Sequence, residues 1–262
     1  MKLFSRLIIP IIFVSLLLPL SSQAKTKSRE YFEIRVYHFT TIQQETAIDS
    51  YLRNALLPAM HGKGIRRVGV FKSLENDTVA DKKIYILIPH KSIEKYVQLS
   101  ERLVKETGLQ NAGKDYLNAS YDKAPFARFE TILLSAFDDM TYLEVPNHAT
   151  PKTERVYELR SYEGPTERLY RNKVDMFNKG GEVKLFKRLG FNAVFYGGVI
   201  AGSRMPNLMY MTTFENMASR ELHWKNFRND PEWKELSAKP QYQKNVSKSD
   251  IILLRPADYS DI

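Results

Sequence analysis

The 262-residue chain contains no cysteine. That excludes disulfides, thiolate nucleophiles and cysteine-based zinc sites. Other catalytic signatures are missing too. The five histidines, His38, His61, His90, His148 and His223, form no H-E-x-x-H motif and no i, i+4 pair that would bind zinc. There is no G-x-S-x-G elbow, and Gly180-Gly181 and Gly197-Gly198 lack the flanks of a phosphate-binding loop. A lone histidine is a weak haem signal, so neither a metal nor a cofactor is expected. The formal net charge is +9, yet the basic residues are dispersed, as in Arg66-Arg67, Lys82-Lys83 and Lys187-Arg188. Nucleic-acid binding calls for a clustered patch and is not expected here. Beyond the first twenty residues, no apolar run is long enough to span a membrane.

The N-terminus carries a different signal. Lys2 and Arg6 precede an apolar stretch, Leu7 to Leu20, broken by Pro10 and Pro19 and followed by Ser22-Gln23-Ala24. This is the pattern of a secretory signal peptide over residues 1–24. Its removal from the 262 residues leaves 238, without a membrane span, in an exported protein of the periplasm or the exterior. With 43% hydrophobic residues such a chain can build a core without disulfides.

The mature region repeats itself. Glu33-Ile34-Arg35-Val36-Tyr37 returns 125 residues later as Glu158-Leu159-Arg160-Ser161-Tyr162, and Gly64 is matched by Gly190. A repeat of this length is a whole small domain rather than a solenoid unit. Residues 25–140 and 153–262 are the expected domains, with 141–152 as linker. Each half reads as β-α-β-β-α-β. In the first, strands are expected at Tyr31–Tyr37, Val68–Leu74, Lys82–Ile88 and Phe126–Phe137, with helices from Ile42 to Met60 and from Ser92 to Glu106. In the second, Pro165 is expected to open a helix that breaks at Gly180-Gly181, and Asp230 to cap another at Pro231. The fold class is α+β: two tandem ferredoxin-like units packed sheet to sheet as an α/β barrel of the dimeric type, with helices outside.

Alternation assigns faces. Phe32, Ile34 and Val36 are expected under the helices. Glu33, Arg35 and Tyr37, with Glu158, Arg160 and Tyr162, are then expected in the space between the sheets, joined by Tyr210 on the matched strand. These seven residues are the candidate ligand contacts, the arginines meeting an anionic group. The alternative reading makes them an ion-pair network that fixes the packing.

The run Val156 to Tyr162, the strand Tyr210–Phe214, Arg220 on the next helix and Asp230-Pro231-Glu232-Trp233 together resemble the NIPSNAP family over roughly Thr153 to Pro256. The first half resembles a diverged copy that lacks D-P-x-W. The resemblance implies the same dimeric α/β barrel fold and a poorly defined biochemical role. Its eukaryotic members are linked to mitochondria and vesicle traffic, roles that a signal peptide argues against here. The wider fold includes cofactor-free monooxygenases and haem-degrading enzymes. Three readings follow: a protein that binds a small anionic or aromatic molecule between its sheets, a monooxygenase-type enzyme, and a structural envelope protein with a filled interior. Oligomeric state is open, because the two halves can satisfy each other or pair with a second chain.

Overall fold

A computed structural model describes residues 28–262, so the expected signal peptide lies outside the described residues. The first half runs β1 (Tyr31–Phe39), α1 (Ile42–Tyr51), α2 (Leu57–Gly62), β2 (Gly69–Ser73), β3 (Lys82–His90), α3 (Ile93–Val104), α4 (Thr107–Ala112), α5 (Lys114–Leu117) and β4 (Arg128–Ala136). The second runs β5 (Val156–Glu163), α6 (Glu167–Phe177), α7 (Glu182–Arg188), β6 (Asn192–Ala201), β7 (Asn207–Phe214), α8 (Met217–Asn229), α9 (Pro231–Ala238) and β8 (Lys248–Pro256).

Local chemistry accounts for the boundaries. The Thr41 side chain caps α1 by accepting from Gln44 N–H. Between α1 and α2 the helix continues as a wider π turn over Leu52–Leu56, where Leu57 N–H reaches back to Leu52 C=O. The expected helix from Ser92 stops at Val104, and Gly108 lies inside α4 rather than ending α3. In the second half, Thr166 accepts from Leu169 N–H, so α6 starts after Thr166 and Pro165 lies ahead of it. A side-chain cap outranks the proline as a start signal. Gly181, at φ 91°, breaks α6 from α7 as expected. Asp230 caps α9 by accepting from Glu232 and Trp233 N–H, with Pro231 in the first turn.

The eight strands close into one antiparallel barrel in the order β1-β3-β2-β8-β5-β7-β6-β4. Each half contributes a ferredoxin-like sheet, β4-β1-β3-β2 and β8-β5-β7-β6. The seams are β2 with β8, at Phe71–Pro256 to Ser73–Leu254, and β4 with β6, at Leu133–Ala201 to Ala136–Gly197. Closure within one chain removes both sheet edges.

The faces are the reverse of those expected from alternation. Phe32, Ile34 and Val36 point into the barrel, where they pack with Phe71, Leu87, Leu134, Tyr157, Leu159, Phe195, Met211 and Leu254 from both sheets. Phe32 and Phe195, one from each half, lie 5.1 Å apart. Glu33, Arg35, Tyr37, Glu158, Arg160, Tyr162 and Tyr210 face the helices instead. Tyr37 joins the apolar cluster under α1–α4, and Tyr162 and Tyr210 join that under α6–α9. The reason is the supply of partners. Two sheets meeting face to face offer only each other's side chains, and an eight-stranded barrel is just wide enough for side chains to fill. A covering helix can bring donors to a buried carboxylate.

The barrel ends differ. Near the start of β1, Leu143 and Ile262 join the interior cluster. Arg67 ties that end by donating to Leu143 C=O and to Glu30, whose carboxylate accepts from Leu143 N–H. The opposite end is flanked by the β2–β3 and β6–β7 hairpins and is open. Among the described residues no helix is long and apolar enough to cross a membrane.

The segment joining the halves is docked on the second sheet, with Glu144 N–H donating to Val194 C=O and His148 Nε2 lying 2.6 Å from Thr213 Oγ1. Burial pushes the His148 ring below its usual pKa. The unfolded chain therefore binds a proton that the native protein refuses. Stability falls as pH drops from about 7 toward 5, because the unfolded histidine titrates near 6.5. Urea titrations at both values should show this loss, and His148→Gln should flatten the slope between them.

Candidate functional site

In the second half, the repeated motif builds a closed polar network. Glu158 is fully buried. Its carboxylate accepts from Arg160 Nε at 2.5 Å, from Arg220 Nε at 2.5 Å and from Trp224 Nε1 at 2.9 Å. Arg220 and Trp224 are one turn apart on α8, so a single helix face delivers both donors. The Arg160 guanidinium lies 3.7 Å from the centre of the Trp224 ring and donates to the Tyr162 hydroxyl, which is 3.0 Å from that of Tyr210. Burial holds the Tyr210 hydroxyl well above its usual pKa. A second buried pair, Lys173 with Glu182 at 2.9 Å, lies under the same helices.

The first half repeats this with different partners. Glu33 accepts from Arg35 Nε at 2.5 Å and from His90 Nε2 at 2.9 Å. Burial alone would raise the Glu33 pKa, but the His90 and Arg35 bonds outweigh it and hold the carboxyl below its usual range. Tyr37 packs against Tyr116, Phe126 and Phe129. Beside it, Tyr51 stacks on Tyr116, and burial pushes its hydroxyl up to about 12. The structure thus brings together the motif residues within each half, keeps the two sets apart, and places neither between the sheets.

What lies between the sheets is a cavity of about 640 Å³ at the open end of the barrel. Val36, Tyr85, Ile132, Val199, Met209 and Ile252 form its apolar wall. Polar groups gather at the rim. His38 Nδ1 lies 2.8 Å from Asp81 Oδ1, and His38 Nε2 lies 3.6 Å from Glu130 Oε1. Asp81 also pairs with Lys83 at 3.2 Å, and Arg204 pairs with Asp250. Deeper in, Ser161 and Asn207 bond to each other, the Asn207 amide donating at 2.9 Å.

Residues 157–261 match the NIPSNAP family model. The C-terminal half is thus similar to that family. It contributes β5–β8 to the barrel, and the first half repeats the same strand order. No curated protein matches the chain. Among solved structures the fold is similar to a candidate monooxygenase from Lactobacillus acidophilus NCFM, with TM-score 0.55 and 10% identity over 87% of this chain and 94% of that one. A candidate monooxygenase from Fusobacterium nucleatum gives 0.55 and 10% over 88% and 94%. An anthrone oxidase-like protein gives 0.52 and 9% over 87% and 92%. At these identities the likeness is one of fold. It spans both halves, so the half that matches the NIPSNAP model and its partner half together form the matched barrel.

The cavity residues carried little signal in the sequence. The readable one was His38. It continues the row Phe32, Ile34, Val36 and is the ionisable residue on an otherwise apolar face. Its counterpart 125 residues later, Glu163, also sits at the open end, 4.0 Å from Arg204. Asp81 and Glu130 come from other segments, and nothing local ties them to His38.

Proposed function

We propose that this is an exported protein that binds a small molecule in the open end of its barrel. The observation that carries this reading is the unequal filling of the interior. Aromatic and aliphatic side chains occupy one end, and about 640 Å³ is left beside a polar rim at the other. Apolar walls with a few convergent polar groups are the usual make-up of a ligand site. A structural protein with a filled barrel would leave no such space. The neutral dye Nile red should bind one per chain, and Ile132→Trp, which fills the mouth, should weaken it about tenfold or more. Equal binding by both proteins at unchanged melting temperature would place the dye elsewhere and sink the reading.

The fold likeness to candidate monooxygenases, together with a histidine–carboxylate pair on the cavity wall, favours a second reading, an enzyme that takes a proton from its substrate. Oxygen uptake with quinol and anthrone substrates decides between turnover and binding. The haem form of this reading does not fit the residues. Among the described residues, His38 is the histidine that lines the cavity, and the carboxylates Glu75, Asp81, Glu130 and Asp250 line it too, a poor match for the anionic propionates of haem.

A further inference from the structure

The rim histidine is held in one orientation. Both Asp81 oxygens lie within 3.0 Å of His38 Nδ1. Burial alone would raise the Asp81 pKa, but the His38 and Lys83 bonds outweigh it and hold the carboxyl below its usual range. An ionised carboxylate only accepts, so Nδ1 carries the ring proton. In the neutral ring Nε2 is then an acceptor. It is buried, and among the described residues it has no hydrogen-bond partner. Buried polar atoms normally have one. The other charged groups near the ring are Lys83 and Arg128, its cross-strand neighbours, and Glu130.

The rest of the rim narrows what can approach. Glu75, Asp81, Glu130 and Asp250 line the cavity against Lys83 and Arg204, and those two cations are already paired. An anionic group is disfavoured there, in contrast to the arginine-bound anion expected from the motif. The wall suits a flat apolar body: a tyrosine ring, a thioether and branched aliphatics.

We propose that the barrel mouth binds a neutral hydroxylated aromatic molecule, its hydroxyl donating to His38 Nε2 and its ring lying against Tyr85, Ile132 and Met209. Asp81 is the positioning residue that fixes the imidazole. The inference rests on the reading of the open end as the ligand site and adds its chemical class. It involves no covalent step.

Fluorescence titration of the mature chain with 2-naphthol, 2-methoxynaphthalene and 2-naphthoate tests it. The wild type should prefer 2-naphthol over the methyl ether by about tenfold, and the carboxylate should bind weakest. His38→Leu should bring 2-naphthol down to the level of the ether and leave the ether unchanged. Asp81→Asn, at a position 57% exposed and so removed from the packing, should narrow the preference in the same direction. Equal binding of naphthol and ether in the wild type overturns the hydroxyl assignment while the pocket stands. Tightest binding of 2-naphthoate overturns the neutral class. Loss of all three probes together with Nile red overturns the pocket and this inference with it.

Discussion

Replacing Glu158 by glutamine should lower the free energy of unfolding by about 3–5 kcal/mol, the range for stripping the counter-charge from a buried ion pair. The side chain keeps its size and one acceptor, so the loss is electrostatic. Arg160 and Arg220 both bond this carboxylate, and their side chains are only 14% and 13% exposed. Arg220 retains Glu221, but among the described residues Arg160 is left without a carboxylate and keeps neutral partners, among them the Tyr162 hydroxyl and the Trp224 ring. The melting temperature should fall on the order of 10 °C for a protein of this size. Replacing the whole cluster, Glu158→Leu with Arg160→Met and Arg220→Met, should recover most of the loss, because the cost lies in stranded charge rather than in absent attraction. Urea unfolding of both variants gives the comparison. A loss below about 1 kcal/mol for the single variant would mean that the network behaves as a solvent-exposed pair.

The equivalent change in the first half should be milder. Glu33→Gln strands Arg35, but the second partner is the His90 imidazole rather than another guanidinium, and among the described residues no second arginine bonds this carboxylate. The two motifs therefore look alike in sequence and differ in weight. What separates them lies 62 and 66 residues further along the chain, at Arg220 and Trp224 on α8, where the first half has no counterpart to the tryptophan.

That distance explains what could be read from the sequence. Strand alternation identified the mates of Glu33 and Glu158 correctly, because a period of two is a property of the backbone. Asp230-Pro231 marked the start of α9 for a similarly local reason, a side-chain cap and a missing N–H. Which face of the strand meets the other sheet is not local. Charged residues are expected wherever they can be neutralised, and only the folded chain shows that the neutralising groups sit on the helices. The cavity was hidden for the same reason. Its polar rim draws on β1, the β2–β3 hairpin, β4, the β6–β7 hairpin and β8, and only the β2–β3 hairpin brings several of its charged groups, Glu75, Asp81 and Lys83, from one short stretch. His38 alone broke an apolar row.

The inverted faces carry the second large effect. Phe32 and Phe195 come from different halves and touch in the middle of the barrel, both with no exposed surface. Phe32→Ala and Phe195→Ala should each cost about 3–5 kcal/mol, the range for emptying a buried aromatic site. Their double variant should cost less than the sum, because the second truncation removes contacts already lost to the first. The coupling has a structural consequence. The inner face of each four-stranded sheet is apolar and has only the other half to cover it. Neither half should hold its fold while the other is open, so truncation on one side should lower a single transition rather than split it in two. Unfolding followed by tyrosine absorbance and by the fluorescence of Trp224 and Trp233, both in the second half, should give coincident curves for wild type and variants. An early transition in Phe32→Ala that leaves the tryptophan signal native would show that the second half stands alone, and that the barrel joins two independent domains.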